Sequence, residues 1–239
     1  MTVHQWPVQA EALVAEQQRL ADLDPALWRP PERELRTAAA FVAFLRGEQG
    51  PGHPGDRAWV GAVLLEGPRL MRRRVVAGVA GASYAPGLLA LREGPMLDEA
   101  LAPLVGHADV VLVDATGRDH PRRAGLAVHI GAVLDAPAVG VTHRPLHARG
   151  AQPPDVPGAS SPVELDGQEV GRWVRTVRGV RPVVAHAAWR TDAATAAAVV
   201  LRCRGGSRTP EPLRQARRVA REARAEAEAD HPVSARRSP

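Results

Sequence analysis

Asp114 ends a run of four apolar residues, 110–113, and is followed by a turn holding Gly117 and then by His120, Pro121, Arg122 and Arg123. A buried strand that delivers a carboxylate at its C-terminal end, beside a basic turn bearing glycine, is a common way to build a phosphate or metal site. A second acid, Glu93, comes with Arg92 shortly after the turn Tyr84-Ala85-Pro86-Gly87. Two acids, a histidine and an arginine pair are the side chains that metal-assisted phosphodiester chemistry uses, carboxylates for a divalent cation and cations for phosphate. Each has a plainer reading as well. Asp114 can be a turn or helix-capping acid, Glu93 half of a surface pair with Arg92, and His120 a core histidine beside Pro121. Arg122 and Arg123 read as a helix start, where backbone N–H groups already favour phosphate, with one arginine on phosphate and the other in a structural ion pair. Tyr84, the only tyrosine, is either a core aromatic or an exposed ring able to stack on a base.

These residues need a frame. Residues 7–23 have the apolar spacing of an amphipathic helix, and Pro25, Pro30 and Pro31 end it. Residues 37–44, 58–65 and 75–79 read as strands, the first two joined as a hairpin through the Gly/Pro-rich turn 50–55. Helix is expected over 97–105, strand over 110–114, helix over 125–134 and strand over 138–142. Residues 149–162 read as a long loop, 169–176 and 181–185 as edge strands, and 192–203 as a helix. The Arg/Ala/Glu-rich stretch 211–230 suggests a solvated helix, with a nucleic-acid-binding arm as the other reading. Hairpin strands followed by alternating helix and strand give an α/β fold with a mixed sheet.

Composition narrows the class. At 239 residues the chain suits one domain with a sizeable core, placed at 1–230 with a helix and connector over 1–35 and a disordered tail over 231–239. The net charge of +5 comes from a chain with no lysine, all 31 basic residues being arginine, which matches the codon bias of a GC-rich genome as well as an anionic partner. The single cysteine, Cys203, excludes an internal disulfide framework and a cysteine-based zinc site. No signal-peptide pattern and no membrane-length apolar run is present, so a cytoplasmic protein, monomeric by default and without a membrane partner, is expected.

The order and spacing of Tyr84, Pro86, Gly87, Arg92, Glu93, Asp114, Gly117, His120, Pro121, Arg122, Arg123, Gly125, Gly140 and Val141 closely resemble the endonuclease V family, nucleases that act at deoxyinosine. The likeness continues at Pro210, Glu211, Pro212 and Arg214. It implies a ribonuclease H-like fold and a DNA or RNA partner, inosine-containing by family habit. It also implies Mg²⁺ or Mn²⁺ on Glu93 and Asp114, with His120 and His143 in the catalytic set. By the same resemblance Tyr84, Pro86 and Gly87 form a wedge that everts a base, and Gly87, Leu89, Ala115, Gly117, Gly125 and Leu146 line its pocket. Arg122, Arg123 and Arg144 fall on nucleic acid.

The family pattern also fails in places. Its members carry an aspartate in the first strand where this chain reads Ala38 to Phe44 as AAAFVAF, putting Phe41 on the acid. A phenyl ring cannot ligate a hard cation. The lysine after Gly-Val-x is His143, a typical glycine is Ala115, the residue before the wedge is Ser83, and the histidine of a Gly-His-Arg segment is Trp189. Asp192 beside it is expected to cap the next helix. The sequence therefore points to a metal-dependent nuclease with impaired catalysis. The alternatives are a degenerate nucleic-acid- or nucleotide-binding protein, or a fold repurposed for a small nucleotide-like metabolite.

Overall fold

The computed structural model describes residues 5–46 and 50–230. The tail expected over 231–239 lies outside them.

Eight strands form one mixed sheet. They are β1 (Arg36–Phe44), β2 (Arg57–Glu66), β3 (Arg69–Val79), β4 (Val110–Val113), β5 (Ala138–Thr142), β6 (Ser160–Leu165), β7 (Gln168–Val174) and β8 (Val183–Ala187), in the order β3-β2-β1-β4-β5-β8-β7-β6. The β1–β2–β3 meander is antiparallel, β1, β4 and β5 run parallel, and β8 returns antiparallel beside β5. Strand β4 is wholly apolar because it is central and covered on both faces, so the carboxylate that follows it emerges at the sheet's C-terminal edge.

Helices α1 (Ala10–Ala21), α2 (Leu89–Val105) and α3 (Leu126–Val133) cover one face, burying Leu13, Leu20, Leu97, Leu101, Val128 and Ile130. Helices α4 (Ala193–Arg202) and α5 (Glu211–Asp230) cover the other, through Val199, Val200, Leu213, Ala216 and Val219. Asp192 caps α4, its carboxylate accepting the Thr195 N–H at 2.7 Å.

Five expectations are corrected. Helix α2 starts at Leu89 and carries Pro95 and Pro103 inside it, so Glu93 sits on a helix and not in a connector. The disturbed turn before Pro95 is tied from outside, Gly81 N–H donating to the Arg92 carbonyl at 3.2 Å. Strand β6, read as the end of a loop, is an edge strand whose polar sequence buries only Val163, so β7 and β8, both expected at an edge, are internal. The third strand begins at Arg69 and exposes all four of its arginines along the opposite edge. Helix α5 is not a solvated rod: its first half packs on β1 and β2. Gly61 of β2 permits this, since a Cβ there would collide with the backbone of Ala216 and Ala220.

Candidate nucleic-acid site

The turn 84–88 projects from the sheet's C-terminal edge with Tyr84 48% exposed at its tip. Its shape is fixed from below through one atom. The Gly87 carbonyl accepts from Gln17 Nε2 at 3.1 Å, His120 Nε2 at 3.2 Å and Arg122 Nη2 at 2.8 Å. Gly87 has φ +77°, where a side chain is strained, and a Cβ would press on Arg122 Nη2. Gln17 also accepts from Arg122 Nε at 2.6 Å, so α1 is stitched to the same cluster. Nothing in the local sequence marks Gln17 except that it is a polar residue on the apolar face of α1, where it is buried.

His120 is buried, and its ring works as a neutral strut. Nδ1 accepts the Arg122 N–H at 3.2 Å while Nε2–H donates to Gly87. Burial first, and the neighbouring Arg122 charge second, hold its pKa down at about 4, so the imidazolium is absent at neutral pH. Arg122 and Arg123 occupy a turn, not the helix start expected of them, because α3 begins at Leu126. Arg122 is spent on Gly87 and Gln17, and Arg123, at φ 55°, pairs with Asp166 at 2.9 Å and donates to the Leu165 carbonyl.

Two hollows flank the turn 84–88 and share Tyr84, Leu89 and Asp114. The first, about 190 Å³, is lined by Gly87, Leu89, Ala115, His120, Leu126 and Leu146 among others. Gly117 and Gly125, expected in its wall, are instead pressed against the Ala187 and Thr116 carbonyls. Leu146 is held in place by Asp119, a fully buried carboxylate that accepts from the backbone N–H groups of Leu146, His147 and Ala148 at 2.7–2.9 Å. Buried His186 lies 3.8 Å from Asp119 and bonds Thr142 Oγ1 at 2.7 Å, completing the brace. Sequence reading passed over Asp119 and His186, although a buried-strand histidine and an acid inside a basic turn were visible signals.

The second hollow brings together Phe41, Glu93 and Asp114. Burial pushes the Glu93 carboxyl up to about 7, the nearby Asp114 charge adds to this, and Arg92 opposes it. Arg92 itself is committed elsewhere: it pairs with Asp56 at 2.9 Å, both side chains being nearly inaccessible, and stacks 4.1 Å over Phe44. The partner that reaches Asp114 comes from α5. Arg217 Nη2 lies 3.1 Å from Asp114 Oδ2, and the guanidinium stands 4.8 Å over the Phe41 ring.

Three other predicted residues lie outside both hollows. His143 is largely exposed and bonds Thr209 Oγ1 at 3.3 Å; the partial burial of its ring and the Arg208 charge lower its pKa, with Asp114 opposing. Arg144 is exposed on the same loop. Trp189, read as a lost site residue, is buried in the core against α3 and makes no part of either hollow.

A strand-end carboxylate in a mixed sheet, facing a helix-borne acid beneath a projecting turn, defines an α/β protein of ribonuclease H-like type. Residues 33–218 match the model of the family described as endonuclease V, and the chain belongs to that family. It is 42% identical over 164 residues to an endonuclease V of Methanopyrus kandleri, covering 68% of this chain and 71% of that protein. The crystal structure of the Streptomyces avermitilis endonuclease V superposes with a TM-score of 0.81 at 31% identity, over 93% of this chain and 96% of that one. A Ciona intestinalis endonuclease V, in complex with DNA containing an inosine, shares the fold at 18% identity with a TM-score of 0.74, over 91% and 98% of the two chains.

Nucleases of this family are generally metal dependent. The residues here do not fit such an ion. Among the described residues no three His, Cys, Asp or Glu side chains gather to hold one. Phe41 puts a phenyl ring in the hollow, and Arg217 already supplies Asp114 with a positive charge. Hard divalent cations need several oxygen donors free to turn toward them.

Proposed function

We propose that this chain is a base-reading, nucleic-acid-binding member of the endonuclease V family in which Mg²⁺- or Mn²⁺-dependent strand cleavage is impaired. The observation that carries the reading is Phe41 in the hollow of Glu93 and Asp114, where a third carboxylate would have completed a cation site. The recognition half is built and braced: a half-exposed Tyr84 on a pinned turn, over an apolar hollow whose one wall is the backbone near Gly87 and Ala115. An aromatic wedge beside a base-sized recess suits a nucleotide turned out of its stack, read by shape and by backbone groups. Inosine-bearing DNA or RNA is the ligand that the family suggests. No helix among the described residues is long and apolar enough to cross a membrane.

The test combines binding and nicking on one deoxyinosine duplex, measured with Mg²⁺, with Mn²⁺ and with EDTA. The expected outcome is salt-sensitive binding that survives EDTA, with little or no nicking under any condition. Metal-dependent nicking abolished by Asp114→Ala would replace this reading with that of a two-carboxylate nuclease. Binding of free deoxyinosine 5′-phosphate with no affinity for the duplex would instead point to a small-metabolite role.

A further inference from the structure

We infer that Arg217 is a phosphate-binding residue that has taken over, without a metal, the charge-neutralising position beside Asp114. The inference rests on the base-reading function and concerns which atom of the nucleic acid meets the second hollow: a backbone phosphodiester next to the everted base.

The placement is specific. Arg217 stands on the sheet-packed half of α5, whose depth is set by Gly61, Leu213 and Ala216, so its Cα is fixed by core packing. Its guanidinium carbon stands 4.8 Å from the centre of the Phe41 ring, and the side chain is a quarter exposed. Among the described residues only Nη2 has a protein acceptor, Asp114 Oδ2. Nε is buried without one, and Nη1 has none among the described residues. A planar cation held over an aromatic ring, its Nη1 unengaged and its Nη2 shared with Asp114, presents an Nη1–Nη2 edge that matches two oxygens of a phosphate once the phosphate displaces Asp114 from Nη2. Phe41 thus has a use that an aspartate lacks. It is the platform for the guanidinium, and an acid there would have drawn the same arginine into a closed ion pair.

Asp114 has an inverted part in this arrangement. At a metal site a carboxylate aids the binding of phosphate through the ion. Here it competes with phosphate for Arg217 and repels it. Removing that charge should therefore strengthen binding in EDTA, the opposite of what loss of a metal ligand does.

The experiment measures duplex affinity in EDTA across a salt series for wild type, Arg217→Gln, Arg217→Lys and Asp114→Asn. A parallel set uses deoxyinosine duplexes with one neutral methylphosphonate placed in turn at each linkage flanking the inosine. Arg217→Gln is expected to weaken binding about tenfold and to reduce the salt slope by about 0.9, the share of one phosphate contact. One methylphosphonate position should weaken wild type by a similar factor and leave Arg217→Gln unaffected. Arg217→Lys should keep the salt slope and recover part of the affinity, since charge remains while the planar edge is lost. Asp114→Asn should tighten binding in the wild-type background and not in Arg217→Gln. An unchanged slope in Arg217→Gln, with the methylphosphonate penalty intact, overturns the assignment of Arg217 while leaving base reading in place. Absence of wild-type binding overturns the base-reading function itself, and this inference with it.

Discussion

Arg217 and Asp114 are joined at 3.1 Å across 103 residues of sequence, tying the last helix to the end of the central strand. The pair makes two substitutions interdependent. A cation beside Asp114 removes the need for a metal to balance it, and a ring at Phe41 gives that cation a surface to lie on. Restoring an acid at position 41 alone should therefore not restore a metal site.

Phe41→Asp is expected to leave Mn²⁺ affinity low, because the new carboxylate pairs with Arg217. Phe41→Asp combined with Arg217→Gln should raise it clearly, as three carboxylates then face one hollow. Titration calorimetry with Mn²⁺ on wild type, both single variants and the double variant checks this, alongside a urea melt, since the aspartate enters a partly apolar position. Equal affinity in Phe41→Asp and the double variant would show that Arg217 does not block the site.

Glu93 predicts a particular pH dependence. Its folded pKa is raised to about 7 from an ordinary value of 4.5, so between those values the native state holds more protons than the unfolded chain. Stability should fall as pH rises from 4.5 to 7 and stay reduced above it. Glu93→Gln should flatten this slope and stabilise the protein at pH 8 by up to about 3 kcal/mol. Urea midpoints of the two proteins at pH 5 and pH 8 decide the matter. A wild-type midpoint no lower at pH 8, relative to Glu93→Gln, would contradict it.

Tyr84→Ala should weaken binding to an inosine-bearing duplex by about 1–3 kcal/mol, the loss of one stacking surface. Because the ring is half exposed, thermal stability should change little. Competition binding with matched and inosine duplexes, run beside a thermal melt, separates a recognition residue from a packing residue.

Arg92 tests the support of the wedge. Its ion pair with Asp56 is buried at both ends, and it also donates to the Ala82 carbonyl at 2.7 Å. Arg92→Met takes the guanidinium away from a buried carboxylate, which keeps the His53 N–H at 2.7 Å, and should cost about 3–5 kcal/mol. Arg92→Met with Asp56→Leu should recover most of that loss, measured by denaturant unfolding.

Much of this was legible in the chain. The apolar runs of β4 and β5 and the Gly/Pro punctuation between β1 and β2 mark the sheet's centre, because buried strands and tight turns depend on local composition. The convergence of Glu93, Asp114 and Phe41 could be expected from the family likeness. Arg217 could not be. Its meaning lies in a partner far off in sequence, within a helix whose Arg/Ala/Glu pattern resembles a solvated one. Trp189 failed for the opposite reason: a residue aligned to a functional position proved to be packing, since nothing in one sequence says which way a loop residue points. Pro95 hid the first turns of α2 because a proline within a helix is tolerated only when tertiary contacts secure the disturbed turn.

The triple acceptance at the Gly87 carbonyl bears on the timing of recognition. Three side chains from two separate segments already hold the turn 84–88 in the free protein. A segment ordered in advance gives up little further chain entropy when a ligand arrives. Encounter with an already unstacked base should thus proceed at the speed of diffusion and steering, with no slow loop closure to follow. The slow step on an intact duplex would belong to the nucleic acid, as the opening of its own base pair.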